Sequence, residues 1–241
     1  MSFKTIWRAL LPLLGVWLLS ATAANAMFLS ADPIGTRDDP NLYVYVGLDP
    51  VNRFDPTGEE SWLVSRPIGI ADSDHMFVVV ADAPGAPIQA RFSYGPDRSG
   101  FDFAARGGNL VALTGTQSPT NRDDLAAWGA LSDPAAAAKA GISMVQINAS
   151  DATVISVGNQ VNANLGTPAA PGPVRYAPVT NPMTRSNTAN SNSAAYAVAN
   201  TATKADNPSA PAQSLPAGAR APGWGQHGHV PTDDPDRRRQ R

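Results

Sequence analysis

Cysteine is absent from the 241 residues of the chain, which excludes disulfide bonds, thiolate zinc sites and a cysteine nucleophile. Charged residues are also few, at 16%, and the formal net charge is -2. Such a balance offers no basic face to replace the counterions of a nucleic acid, so we expect no nucleic-acid partner. Four arginines near the end of the chain are interpreted as part of a solvated tail, namely Arg237, Arg238, Arg239 and Arg241.

A long hydrophobic run is missing too. The apolar run near the amino terminus spans residues 9–19, which is shorter than the roughly 20 residues that a membrane-crossing helix needs. Lys4 and Arg8 precede it, and Ala24-Asn25-Ala26 follows it. That order of basic, apolar and small residues predicts a secretory signal peptide over residues 1–26, with an uncleaved membrane anchor as the alternative. The mature protein is therefore expected to be periplasmic or secreted, without a stable membrane span.

Several familiar catalytic motifs do not occur. The chain has no phosphate-binding G-x-x-x-x-G-K, no H-E-x-x-H and no G-x-S-x-G motif. Asp72, Asp74 and His75, joined by Asp97 or Asp102, form a weak metal-ligand pattern, which we interpret instead as a solvated loop. We therefore expect neither a metal nor a cofactor.

Proline and glycine are plentiful, with 22 and 20 residues, and several of them punctuate a patterned segment over residues 28–58. The segment contains FLSADPIG at 28–35, NLYVYVG at 41–47 and DPVNRFDPTG at 49–58. By itself this pattern predicts turns around one short strand. It resembles the end of the RHS repeat-associated core, whose pattern is FLSxDPIG followed by NLYxYVxNxPVNxxDPxG.

This resemblance implies that residues 27–59 are the remnant of an RHS core and that a toxin-like domain follows. In that family the core forms a large β-cocoon ahead of a variable toxin domain, but most of the cocoon has no counterpart here. The family's self-cleavage motif ends in DPxGL, whereas Glu59 follows Gly58 in this chain. We therefore expect neither a closed chamber nor self-cleavage.

Residues 60–225 predict one α+β domain, a small antiparallel sheet with two to three packed helices. Strand patterns occur at 61–66, 75–81, 88–94, 109–113 and 142–147, and helix patterns occur at 120–131, 150–164 and 188–203. In the first helix, Leu125, Trp128 and Leu131 fall at helical spacing and are predicted to be core residues. Residues 226–241 are predicted to be a disordered tail.

His75 is the only histidine inside the predicted domain, since His227 and His229 lie in the predicted tail. It opens an apolar strand, and the sequence NSNS at 190–193 opens a helix later in the chain. A base on a strand can activate a hydroxyl at a helix N-terminus, where amides without intrahelical partners stabilise an oxyanion. These residues are therefore candidates for a hydrolytic site.

Their order resembles a circularly permuted papain-like fold, in which a strand histidine precedes a nucleophile within an Asn-Cys-x-x-aromatic helix start. Amidases, deubiquitinase-like proteins and lipid acyltransferases share that order. The resemblance implies that His75 is the base and that Ser191 replaces the cysteine after Asn190. Ser193 is the second choice for the nucleophile.

A serine hydroxyl depends more than a thiol on an aligned base and on a third, orienting group. Gln89, Ser93 and Asn109 are the candidates for that third member, since each lies on a strand predicted to be near His75. The alternative is structural: residues 190–193 only cap a helix, and His75 bonds a backbone group near the sheet edge.

Two classes of function follow. The first is an exported, RHS-associated, toxin-like hydrolase or acyltransferase that acts on an amide or ester bond of a substrate in the envelope or in a target cell. An immunity protein would be its partner. The alternative is a catalytically inactive toxin remnant or an immunity-binding decoy, which the missing cysteine and Glu59 favour.

Overall fold

The structure, a computed structural model, describes residues 60–69, 72–98, 102, 105–114, 119–178, 188–225 and 230–233. The predicted signal peptide and the RHS-like segment lie outside the described residues, as do His227 and His229. In chain order the strands are β1 (Glu60–Pro67), β2 (Asp74–Ala81), β3 (Ala90–Phe92), β4 (Tyr94–Pro96), β5 (Leu110–Ala112), β6 (Ser143–Gln146), β7 (Gly166–Thr167), β8 (Ala170–Pro171), β9 (Arg175–Tyr176) and β10 (Thr188–Ala189). The helices are α1 (Pro119–Ala130), α2 (Pro134–Lys139), α3 (Asp151–Leu165) and α4 (Ser191–Asp206).

A four-stranded antiparallel sheet with the order β3-β2-β1-β6 forms the centre of the domain. The two middle strands are buried almost throughout, and β2 is apolar from Met76 to Ala81, which is typical of strands covered on both faces. On one face Leu63, Met76 and Val78 pack with residues of α3 and α4. On the other face Trp62 and Phe77 pack with residues of α1 and α2.

Three of the helices are preceded by a residue type that is favoured at the helix N-cap. Asp133, Ser150 and Asn190 each accept a hydrogen bond from a backbone amide in the first turn of α2, α3 and α4, respectively. The close approach of α3 to the sheet depends on Gly158, because a Cβ atom at this position would lie 2.4 Å from Cε1 of Phe92. Local capping thus starts these helices, and the absence of a side chain lets α3 lie against the sheet.

The predicted α+β class with a small antiparallel sheet is confirmed, but the described residues contain four helices instead of two to three. The unpredicted helix is α2, whose six residues PAAAAK carry no amphipathic pattern. The prediction that Leu125 is a core residue is wrong, because its side chain is 38% exposed. Trp128 and Leu131, which lie further along the same predicted face, are buried.

The prediction of one strand over residues 88–94 is wrong, because the strand is divided at Ser93. β3 pairs with β2, whereas β4 pairs with β5, and the amide of Leu113 donates to the carbonyl of Ser93 at 2.9 Å. The predicted strand at 109–113 therefore pairs outside the main sheet, whose fourth strand is β6. The part of β2 before Val78 is therefore not paired with β3.

The predicted tail after residue 225 lies mostly outside the described residues, and only 230–233 of it are described. Val230 is buried in the core that contains α3 and α4. Asn164 Nδ2 donates to the carbonyls of Pro231 and Asp233 at 3.2 and 2.9 Å. This part of the tail thus packs against the domain. No helix in the described part of the chain has the length and hydrophobicity that a membrane crossing requires.

Candidate functional site

His75 lies near the start of β2 and is only 5% exposed. Its side chain shares a face of the sheet with Phe77, two residues further along the strand, and the two rings stack with centroids 6.1 Å apart. Arg66 is its cross-strand partner on β1. The imidazole is therefore held on the face of the sheet that packs against α1.

The carboxylate of Asp124, on α1, is the centre of a buried hydrogen-bond cluster around this imidazole. Asp124 Oδ1 lies 3.4 Å from His75 Nε2 and accepts a 2.7 Å hydrogen bond from Arg66 Nε. Asp124 Oδ2 accepts a 2.6 Å hydrogen bond from Ser93 Oγ, which itself lies 3.3 Å from His75 Nε2. The side chain of Asp124 is 0% exposed, so these partners replace the water that an ionised carboxylate loses on burial.

The cluster also assigns the proton of the neutral imidazole ring. A serine hydroxyl has one hydrogen, and the short bond to Asp124 uses it, so Ser93 Oγ can only accept from His75. An ionised carboxylate likewise only accepts. His75 Nε2 therefore carries the hydrogen, and Nδ1 carries the lone pair of the neutral ring. Nδ1 is the nitrogen that can act as a base.

Two opposing effects act on the carboxyl of Asp124. Burial raises its pKa, but the hydrogen bond and charge of His75, the hydroxyl of Ser93 and the charge of Arg66 together hold the pKa below its usual value. A second cation, Arg91, has its Nη1 atom 3.9 Å from Asp124 Oδ2. Burial lowers the pKa of Arg91, and the negative charge of Asp124 opposes that effect. Asp124 is therefore an ionised, buried carboxylate at neutral pH.

The start of α4 contributes the second half of the site. Asn190 Oδ1 accepts a 2.9 Å hydrogen bond from the amide of Ser193, which makes Asn190 the helix cap. Ser191, the first residue of the helix, is 7% exposed, and its hydroxyl lies 3.5 Å from Asn192 Oδ1. The first-turn amides of a helix have no intrahelical partners, and the helix dipole adds partial positive charge there. This end of α4 is thus suited to an anionic oxygen.

His75 and Ser191 line the same cleft, which has a volume of about 330 Å³. α4 packs on the face of the sheet opposite to the His75 ring, so the cleft lies at the sheet edge, where β3 gives way to β4. The cleft is lined by Arg66, Pro67, Ile68, His75, Tyr94, Gly95, Pro96, Thr120, Asp123, Tyr176 and Ser191. Polar side chains from β1, β2, α1 and α4 thus meet apolar and aromatic ones at a single opening.

No model of a protein family, no curated protein and no solved structure matches this chain. Its chemistry is therefore inferred from the geometry of the cleft.

The other predicted site residues have different surroundings. Ser193, the second candidate nucleophile, is fully buried, and its hydroxyl lies 3.1 Å from both Asn190 Oδ1 and the carbonyl of Gly223. Among the three candidates for an orienting group, only Ser93 has a hydrogen bond to His75 in the described residues. Gln89 donates to Asp82, and Asn109 bonds to Asp97. Of all these candidates, the structure thus places Ser191 in the cleft that His75 lines and Ser93 in contact with His75 itself.

The acidic residues near His75 bind other parts of the chain. Asp72 forms an exposed ion pair with Arg220 at 2.5 Å, and Asp74 Oδ2 accepts from the amide of Arg220 and from Ser65 Oγ. Within the described ranges, no group of three or more histidine, cysteine, aspartate or glutamate side chains could hold a metal ion. Asp72 and Asp74 therefore attach the segment around Arg220 to the start of β2.

Asp124 is a functional candidate that the sequence patterns did not single out. A signal for it exists in the sequence. Asp124 lies about one helical turn before Trp128 and two before Leu131, on the buried face of α1. A carboxylate on the apolar face of a helix requires a buried partner, and His75 and Arg66 supply it.

Proposed function

We propose that this protein is a hydrolase or acyltransferase that acts on an amide or ester bond, with Ser191 as nucleophile, His75 as base and Asp124 as the group that orients the base. The observation that carries the proposal has two parts, the hydrogen-bond partners of His75 and the cleft that it lines together with Ser191. His75 Nε2 is held by Asp124 and Ser93, and His75 shares its cleft with the first residue of α4, Ser191.

The reaction would proceed in two steps. His75 Nδ1 takes the hydroxyl proton of Ser191 while Ser191 Oγ forms a bond to the carbonyl carbon, whose π electrons move to the carbonyl oxygen. The amides of Ser191 and Asn192, which remain once Asn190 has capped the amide of Ser193, stabilise that oxyanion. The oxyanion then collapses and breaks the bond to the amine or alcohol, which leaves with the proton from His75. Water or a second acceptor, activated by the same nitrogen, takes the acyl group from Ser191.

A carboxylate as the third member of the site, beside the base and the nucleophile, suits a serine nucleophile. A thiol is acidic enough to lose its proton readily to a histidine, so a neutral amide is sufficient to orient the ring. A hydroxyl is deprotonated only as the new bond forms, and the imidazolium that results needs a negative partner. Asp124 provides this charge, which accords with Ser191 standing where the papain-like pattern has cysteine.

The proposal includes the ancestry and location of the protein. We infer that the domain is a permuted papain-like toxin module, that it follows the remnant of an RHS core, and that it is secreted or periplasmic. Its substrate would lie in the envelope or in a target cell, and an immunity protein would bind it. The supports are the residue patterns at 1–26 and 28–58 and the order of His75 before Ser191 along the chain.

A second candidate function is a catalytically inactive remnant or an immunity-binding decoy. One observation favours it: the nearest cation to Asp124 is Arg66, at 2.7 Å, whereas His75 Nε2 lies at 3.4 Å. In that case the cluster is a buried ion pair that stabilises the domain, and Ser191 only begins a helix.

A fluorophosphonate probe, which reacts with activated serine hydroxyls, separates the two functions. The purified protein should be labelled at Ser191, and Ser191→Ala should abolish labelling, whereas His75→Ala should slow it by about 10²–10⁴-fold. Ser209→Ala, at an exposed loop serine, serves as the control and should be labelled like the parent protein. In parallel, the signal-bearing chain is expressed in a bacterial host with and without the His75→Ala and Ser191→Ala substitutions. Absence of labelling, together with equal growth of all strains, would contradict the proposal that the protein is an enzyme.

A further inference from the structure

Asn192, the second residue of α4, is bonded to the main chain on both sides of His75. Its Oδ1 atom accepts a 3.0 Å hydrogen bond from the amide of Met76, and its Nδ2 atom donates a 3.0 Å hydrogen bond to the carbonyl of Asp74. Nδ2 also lies 3.3 Å from the carbonyl of Pro222. The residue is only 3% exposed, and its bond to the amide of Met76 is buried.

The need for this side chain follows from the topology. β3 covers β2 only from Val78 to Val80, because the chain leaves β2 after Phe92 to pair with β5. The backbone groups of Asp74 and Met76 face the same side as those of Val78, since alternate residues of a strand bond to the same neighbour. Buried main-chain groups left without a ladder partner must be satisfied in another way. The amide group of Asn192 takes the place of the missing strand.

The same gap is closed by the segment formed by residues 220–223. The carbonyl of Arg220 accepts a 2.8 Å hydrogen bond from the amide of Asp74. The carbonyl of Pro222 accepts from the side chains of both Asn190 and Asn192, at 2.9 and 3.3 Å. This segment therefore holds the start of α4 and the start of β2 together.

We propose that Asn192 is a positioning residue of the site, the group that holds the main chain at His75 at a fixed distance from Ser191. Asn192 directly follows Ser191 in the chain. Its side chain is hydrogen-bonded to the main chain of Asp74 and of Met76, the residues before and after His75. A movement of α4 along the sheet edge would break both bonds. The inference rests on the proposed function of the cleft, and it assigns Asn192 no contact with substrate.

The test compares Asn192→Ala with Asn200→Ala in the full chain. Asn200 is a matched control, because it is a buried asparagine on the same helix whose Oδ1 accepts a 3.2 Å hydrogen bond from the Gln213 amide, away from β2. Two measurements are made. One is the rate at which fluorophosphonate labels Ser191, and the other is the ¹⁵N NMR signal of the His75 ring, assigned by its loss in His75→Ala.

We expect Asn192→Ala to slow labelling by about 100-fold, the loss typical of a displacement of about 1 Å between reacting groups, and to shift or broaden the His75 signal. Asn200→Ala should leave both unchanged. Asn192→Asp keeps the acceptor for Met76 and loses the donor for Asp74, so its His75 signal should lie between those of the parent and of Asn192→Ala. If Asn192→Ala does not fold, the His75 signal of Asn192→Asp tests whether Asn192 positions His75.

An unchanged His75 signal in Asn192→Ala, or an equal change in Asn200→Ala, would overturn the assignment. If the parent protein is not labelled at all, the proposed reaction fails, but the NMR comparison still decides whether Asn192 positions His75. The two failures are therefore distinguishable.

Discussion

His75 Nε2 lies 3.4 Å from Asp124 Oδ1, and Ser93 Oγ bonds to both side chains. The three residues come from β2, α1 and the break between β3 and β4. Together they hold the imidazole in one tautomer with Nδ1 as its basic atom. In the proposed function, this carboxylate is the group that orients His75 as the base.

The first prediction concerns the charge of Asp124. Asp124→Asn should slow fluorophosphonate labelling of Ser191 by about 10³–10⁴-fold, because an amide can donate to Nε2 and so stabilise the wrong tautomer of His75. The measurement is the labelling rate at neutral pH, by intact-protein mass spectrometry. Asp133→Asn is the control, since Asp133 is exposed at the start of α2, is not among the residues that line the cleft, and is replaced by another good helix-capping residue. Equal rates in the two variants would contradict the role of Asp124.

The second prediction concerns stability in acid. The pKa of Asp124 is lower in the folded protein than its ordinary value of 3.8, so the folded state favours the ionised form. That contribution to the free energy of unfolding is fully present above the ordinary pKa, and it is lost as the pH falls through the lower, folded-state value. Urea unfolding between pH 6 and pH 2 should therefore show a smaller loss of stability in Asp124→Asn than in the parent protein.

At neutral pH the same variant should be less stable than the parent by about 3 kcal/mol, because Arg66 and Arg91 lose their buried counter-charge. A difference between parent and variant that stays constant down to pH 2 would show that Asp124 does not supply the acid-sensitive contribution.

The third prediction separates the two serines at the start of α4. Ser193→Ala should lower the free energy of unfolding by about 1–2 kcal/mol, because it removes the buried hydroxyl that bonds to Asn190 and Gly223. Ser191→Ala should lower the free energy of unfolding by less, since the contact of its hydroxyl with Asn192 is long, at 3.5 Å. Urea unfolding followed by circular dichroism measures both.

Labelling should show the opposite order, with loss in Ser191→Ala and retention in Ser193→Ala. If Ser193→Ala alone abolished labelling in a folded protein, the nucleophile would be Ser193 and the alignment with the papain-like pattern would shift by two residues.

Much of the secondary structure could be predicted from local patterns. The apolar runs of β1 and β2, the spacing of Trp128 and Leu131, and the capping residues Ser150 and Asn190 are signals within a few neighbouring residues. The break at Ser93 could not be predicted, because residues 88–94 are compatible with one strand. Only the competition between β2 and β5 for pairing decides where that strand ends.

The sequence by itself determined one limit on the chemistry of this protein: without cysteine no thiolate nucleophile is available, and His75 is the only histidine between residues 60 and 225. It also determined that residues 190–193 start a helix. Only the tertiary structure decided that Asp124 supports His75 and that Asn192 connects His75 to Ser191. The physical reason is that these contacts join residues far apart in the chain, and an aspartate or an asparagine in isolation is equally compatible with a solvated surface and with a buried hydrogen-bond cluster.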